Sequence, residues 1–167
     1  MTFHQVLKTL GCVGLVSFSV MSAADPTGFF TIVESRPISE LWLSPGFYTY
    51  HFQSDQGFNN NNLGFGAEYR YSTTSAIVVG GFHNSDWNTS DYAGWFWRPL
   101  AVGPVSLGAV VGGIDGYSRI SNGGWFPVAV PVASLEYKNI GVNMLFVPSY
   151  KEQLHGGLSL QFKVKVY

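Results

Sequence analysis

Two stretches of this chain carry side chains that can move protons. One is Tyr50-His51-Phe52; the other is GGFHNSDWN, Gly80 to Asn88, where the apolar run SAIVVGGF gives way to His, Asn, Ser and Asp in four consecutive positions. Histidine is the commonest general base, so His51 is the natural candidate to take a proton from a hydroxyl. Ser85 can act as a nucleophile or as an oxyanion donor, and the Asn84 amide offers a further donor. Asp86 follows Asn84 by two positions. On a continuing strand the two point alike, which would bring a carboxylate to the same face. Plainer readings stand beside these. An inward histidine can be only a hydrogen-bonded lumen residue, and Asn84, Ser85, Asp86 and Asn88 are ordinary hairpin-loop types. His83 alternates away from Asn84.

The elements that must hold these residues read as strands. From Gly46 onward no helical period runs longer than a few residues. Eight candidate strands follow: 46–54, 62–72, 74–84, 89–98, 104–117, 126–137, 139–148 and 156–167. Asn, Gly, Ser and Pro punctuate the gaps, among them the local asparagine bias of residues 59–62. In GFYTYHFQS, Tyr48, Tyr50 and Phe52 face one way while Thr49, His51 and Gln53 face the other. LGFGAEYRY opposes Leu63, Phe65, Ala67, Tyr69 and Tyr71 to Gly64, Gly66, Glu68 and Arg70. GLSLQFKVKVY sets Leu158, Leu160, Phe162, Val164 and Val166 against Ser159, Gln161, Lys163, Lys165 and Tyr167. Large aromatic residues opposite small or polar ones suit a transmembrane barrel. The same period fits a soluble sandwich or a lipocalin-like barrel. Glu68, Arg70 and Asp115 are candidate lumen ion pairs.

SAIVVGGF, VSLGAVVGGI and FPVAVPVASL are apolar or small on both faces, so part of the interior is expected to be apolar. An eight-stranded barrel is just wide enough to be packed solid or to admit one slender ligand, such as an acyl chain. Pro127 and Pro131 in one strand, and Pro148 after the next, imply incomplete pairing there, either as plain strand ends or as a side opening.

Composition adds direction. Residues 1–24 have one lysine, an apolar centre and small residues before Asp25, the pattern of a secretory signal peptide. Residues 25–45 form an N-terminal segment, in which ISELWLSPG predicts a short amphipathic helix ended by Pro45-Gly46, and 46–167 form the barrel. The single cysteine, Cys12, lies in the signal segment, so the exported part has no disulfide. No CxxC or paired-histidine spacing exists for a metal, and nine Lys and Arg against ten Asp and Glu give no basic surplus for nucleic acid. Only 11% of the chain is charged while 16% is aromatic, which favours a bilayer over water on every side.

The motifs also share an order. Tyr50-His51-Phe52, NLGFGAEY, Phe82-x-Asn84-Ser85-x-Trp87-Asn88, Trp97-Arg98-Pro99-Leu100, Pro131-Val132-Ala133-Ser134 and Val147-Pro148 together resemble the lipid A palmitoyltransferases of Gram-negative outer membranes. The pattern is similar, too, to small exported barrels of bacteria and phages. It spans nearly all of the chain after the signal segment. The resemblance implies an all-β fold: an eight-stranded antiparallel up-and-down transmembrane β-barrel with a short N-terminal helical segment. It implies a monomer in the bacterial outer membrane that moves an acyl chain from phospholipid to lipopolysaccharide (lipid A), without metal or soluble cofactor. His51 matches the family's histidine and Ser85 its serine. Asn84 stands where the family has aspartate, and Asp86 is the carboxylate available to replace it. Pro131 and Pro148 match prolines that flank lateral openings, and Pro45 lies near a third. Two other readings are a non-catalytic outer-membrane barrel that binds lipid or alters the envelope surface, favoured by Asn84, and a soluble periplasmic carrier of an apolar ligand.

Overall fold

The computed structural model describes residues 28–53, 56–149 and 155–167; the expected signal segment and Cys12 lie outside them. Nine strands follow in chain order: β1 (Thr31–Ile32), β2 (Pro37–His51), β3 (Asn61–Ser72), β4 (Ser75–His83), β5 (Thr89–Val102), β6 (Val105–Ile114), β7 (Phe126–Tyr137), β8 (Ile140–Val147) and β9 (Gly157–Lys165). Each of β2 to β9 pairs antiparallel with its neighbours, β2 with β9 included, and the eight close into an up-and-down barrel. Two-residue β1 lies outside that ring, pairing Thr31 with Ala101 and Ile32 with Leu100 on β5.

The connections differ at the two ends. Two-residue turns join β3 to β4, β5 to β6 and β7 to β8, and Pro37 and Lys165 lie at that same end. The described parts of the longer loops, 52–53, 56–60, 84–88, 115–125, 148–149 and 155–156, lie at the opposite end. Transmembrane barrels share this asymmetry of short turns and longer loops.

Alternation along the strands sorts the side chains inside out. On β3, Asn62, Glu68, Arg70 and Ser72 are buried while Leu63, Phe65, Tyr69 and Tyr71 are exposed. On β2, Thr49 and His51 turn inward while Tyr48 and Tyr50 face out. Aromatic and aliphatic residues also cover the outside of β4, β5, β8 and β9, through Ile77, Val79, Trp95, Trp97, Phe146 and Phe162.

The expected helix over ISELWLSPG is a strand instead. Ile38, Glu40, Trp42 and Ser44 alternate inward, but the parity flips at Pro45-Gly46, after which Thr49 and His51 face the lumen. Gly46 sits at φ 108°, and the β2–β3 register shifts between Ser44 and Gly46. A bulge inserts one residue, so the period of two on either side cannot be read as one strand. Pro45-Gly46 is therefore a bulge within β2, and not the end of a helix. No α-helix occurs among the described residues.

The three doubly apolar segments are β4, β6 and β7, and they line one side of the lumen. Ala76, Val78, Phe96 and Val132 form its buried cluster, with Val110 and Leu145 against them. The opposite side is polar: Thr49 bonds Ser159 (2.8 Å), Gln161 donates to Ser44 (3.1 Å), and Asn143 donates to Gln161 (2.9 Å). Tyr92 reaches across between the two sides. A Cβ at Gly66 or Gly80 would collide with its ring and hydroxyl, so both positions must be glycine while Tyr92 lies there.

Charges fill the lumen at the tight-turn end. Lys163 Nζ bonds Glu68 (2.7 Å) and Glu136 (2.8 Å), and Arg70 Nε bonds Glu68 (2.7 Å). Arg70 and Arg98 also donate to Glu136, and Lys165 pairs with Glu40 (3.1 Å). Trp42 lies among them, its indole donating to Glu40 (3.0 Å) and its ring 4.7 Å from the Arg70 guanidinium. Glu68 and Arg70 thus belong to the expected lumen network. Asp115 does not: it follows β6 at the loop end, where its carboxylate accepts from the Asp91 amide (2.6 Å).

Candidate active site

The lumen above this ionic floor is hollow. A cavity of about 450 Å³ runs from Trp42, Phe96, Glu68 and Lys163 up to His51, Ser85 and Tyr117 at the loop end. Val110, Val128, Val130, Val132, Leu145 and Val147 form its apolar wall. That size lies in the range of small-ligand pockets. The expectation of an interior apolar in part holds, with a polar wall facing the apolar one.

At the mouth, His51 is 5% exposed and both ring nitrogens are engaged. Nε2 lies 2.7 Å from Ser85 Oγ, and Nδ1 lies 2.8 Å from Asn60 Oδ1. An amide oxygen only accepts, so Nδ1 carries the proton and Nε2 presents its lone pair to the Ser85 hydroxyl. Phe58 packs on the imidazole with ring centroids 4.9 Å apart. Tyr117, from the β6–β7 loop, lines the cavity together with Ser85 and Asp86. Burial, and then the negative charge of Asp86, hold its phenol above the usual tyrosine range, so it stays protonated and able to donate.

Ser85 owes its place to Asn84, which is fully buried. The Asn84 Oδ1 accepts from the amides of Asp86 and Asn88 (both 3.0 Å). Its Nδ2 donates to Ser90 Oγ (2.9 Å) and to the Gly116 carbonyl (3.0 Å). Two donors and two lone pairs are the whole capacity of an amide side chain, leaving none for an oxyanion. A carboxylate at position 84 could make the first pair of bonds but not the second. Asn84→Asp should therefore cost about 1–3 kcal/mol. A lowered denaturation midpoint and faster amide exchange at Asp86 and Asn88 would register that loss.

Asp86 lies past the end of β4, in the turn that Asn84 holds, so the i and i+2 rule for strands does not apply to the pair. It lines the cavity beside Ser85, and its charge acts on Tyr117. Asn60, not Asp86, contacts the outer nitrogen of His51. Neither Asn60 nor Tyr117 stands out in the sequence. The signal for Asn60 lay in the hairpin register: Tyr48 pairs with Asn61, which puts residue 60 beside the end of β2. The asparagine run is a set of separate fittings, for Asn59 donates to the Asn84 carbonyl (3.2 Å) and Asn62 to that of His83 (2.9 Å).

The prolines flank interruptions in the wall. β7 and β8 pair only from Val132–Leu145 down to Tyr137–Ile140, so residues 126–131 of β7 have no partner on β8. Pro131 stands at the point where the strands part, and Pro148 follows the end of β8. Val128, Ala129 and Val130 all line the cavity, so it extends to that gap. Proline contributes no ladder donor, and Pro127 and Pro131, four residues apart, deprive the same strand edge. Pro45 lies where the β2–β9 ladder breaks between Leu43 and Tyr48.

A closed eight-stranded barrel, with a hollow beneath a His–Ser mouth, is thus the class that the fold and the site define. Compared with known proteins, the chain matches no family profile and no curated sequence. The barrel is of a kind that fits an outer-membrane protein.

Proposed function

We propose that this chain is an outer-membrane acyltransferase that moves a fatty acyl chain from a phospholipid to a hydroxyl of lipid A. The observation that carries the reading is the His51–Ser85 pair, 2.7 Å apart, at the mouth of a cavity with an apolar wall. An acyl tail in the lumen would hold its ester carbonyl at that mouth, and the β7–β8 gap gives a tail in the bilayer a sideways route in. His51 takes the proton of the attacking hydroxyl, and Tyr117 donates to the oxyanion that forms. The ionic floor ends the hollow, since a methyl terminus gains nothing by displacing paired charges. The shared order of motifs with lipid A palmitoyltransferases supports both donor and acceptor. The test is direct: the purified barrel, in detergent with phosphatidylethanolamine and lipid A, should yield an acylated lipid A product. Its absence from a natively folded preparation counts against the reading.

The outer surface supports the membrane setting over the soluble carrier. Val79 is exposed in the middle of β4 among aromatic neighbours. In a bilayer Val79→Arg should cost about 2–4 kcal/mol. On a water-facing surface the same change stays within about 0.5 kcal/mol. Unfolding titrations in lipid vesicles read the difference. For the non-catalytic barrel, Asn84 was the favouring feature, and the bonds that Asn84 makes within its loop supply another reason for an amide there.

A further inference from the structure

We infer that Ser85 is a covalent nucleophile, carrying the acyl chain as an ester between two half-reactions, and that Asn60 is the residue that positions His51 for it. The inference rests on the acyl-transfer reading above, because it specifies how the same site would run that reaction.

Three observations carry it. The first is the relay itself: Asn60 Oδ1, His51 and Ser85 Oγ are joined through opposite nitrogens of one imidazole, at 2.8 and 2.7 Å. A third group that fixes tautomer and ring orientation is what distinguishes an activated serine from a serine that merely touches a histidine. The second is the mounting of Ser85. Its carbonyl accepts from the Asn59 amide (3.0 Å), and Asn84 ties the turn after it to β5 and to Gly116. Trp87, at φ 63°, closes that turn and donates to the Gly57 carbonyl (3.0 Å), joining it to the loop that bears Asn60. Nucleophile and relay are therefore held in one framework. The third is the position of Ser85 between two spaces. It lines the apolar-walled cavity, and it also lines a shallow rim cavity of about 270 Å³ with Gln56, Asn88 and Arg119. Among the described residues, only Ser85 and Asp86 are common to both. A tail on one side and a polar group on the other place an ester carbonyl at Ser85.

The steps balance without a further reactant. In the first, Ser85 Oγ gives its proton to His51 Nε2 and bonds to the ester carbon, whose oxygen takes the electron pair beside Tyr117. Collapse breaks the bond to the donor's alcohol oxygen, which leaves with the proton held by His51. In the second, the acceptor hydroxyl gives its proton to His51 and bonds to the acyl carbon, and Ser85 Oγ leaves and regains a proton. Asn60 accepts from Nδ1–H throughout and touches no substrate.

The probe is a hexadecyl fluorophosphonate, which forms an Oγ–phosphorus bond while fluoride leaves. Incubated with the folded barrel in detergent, it should add one adduct, on the peptide that contains Ser85. Ser85→Ala and His51→Ala should abolish labelling. Asn60→Ala should slow it by at least about tenfold. Asn60→Asp, which keeps an acceptor for Nδ1–H, should label nearly as fast as wild type. That rescue separates positioning from structural damage, as does heat-shifted gel mobility, which should be unchanged in each variant. A folded barrel that takes no adduct overturns the covalent step, even where lipid A is acylated. Equal labelling of Asn60→Ala and wild type overturns the role of Asn60. Labelling at Ser85 without lipid A acylation upholds the nucleophile and instead sinks the acceptor.

Discussion

Replacing His51 by alanine should lower acyl transfer by about 10²–10⁴-fold while the barrel still folds, because general acid–base catalysis contributes on that scale. The imidazole joins Asn60 to Ser85 in one relay. Without it the serine hydroxyl has no base, and Asn60 is left accepting from water. The loss should fall on turnover, since wall residues that would hold the tail, such as Val110, Val132 and Leu145, lie below the mouth and are untouched. Initial rates in mixed micelles, with heat-shifted mobility as the folding control, give the comparison. A His51→Ala barrel that transfers acyl chains at the wild-type rate would remove the site assigned here, because a histidine that only fills the lumen has no reason to control turnover.

The second large effect lies at the other end of the lumen. Glu68→Leu should destabilise the barrel by about 3–5 kcal/mol, the range for breaking a buried ion pair from one side. Glu68 bonds Lys163 at 2.7 Å and Arg70 at 2.7 Å, with Arg98 at 3.4 Å. Removing it leaves Glu40 and Glu136 to balance four cations: Arg70, Arg98, Lys163 and Lys165. The cost comes from stranded charge rather than from a lost contact. A second change, Lys163→Met, should therefore recover part of the stability, as non-additivity between neighbours requires. Urea midpoints in detergent measure both. A double variant weaker than the sum of its parts would mean that the floor is held by packing around Trp42.

The sequence made the strands legible wherever one face was polar. Alternation placed His51, Glu68, Arg70 and Lys163 inside correctly, because a period of two leaves no freedom once one face is assigned. It failed at residues 37–45, where the bulge at Gly46 moves the inward set from even to odd positions and makes one strand resemble a helix followed by a strand. The site was legible in part. His51 and Ser85 could be paired only through a shared motif order, being 34 residues apart, one at the end of β2 and the other in the loop after β4. Asn60 was hidden in an asparagine run whose composition speaks of a turn, and its role depends on the β2–β3 register. Asn84 drew notice as a departure from aspartate, yet its reason is local: two of its four bonds need an N–H donor. Asp115 was misplaced because a carboxylate just beyond a strand end can serve a loop amide as readily as a lumen cation.

Whether this barrel acylates lipid A is settled most directly in the envelope. Lipid A would be extracted from Gram-negative cells lacking any comparable enzyme, after expression of the wild-type chain or of Ser85→Ala, and weighed by mass spectrometry. The expected spectrum gains one long acyl chain per lipid A with the wild type and none with Ser85→Ala, at matched amounts of folded barrel. Unaltered lipid A in both strains, with the wild-type barrel correctly folded in the outer membrane, would contradict the proposed activity.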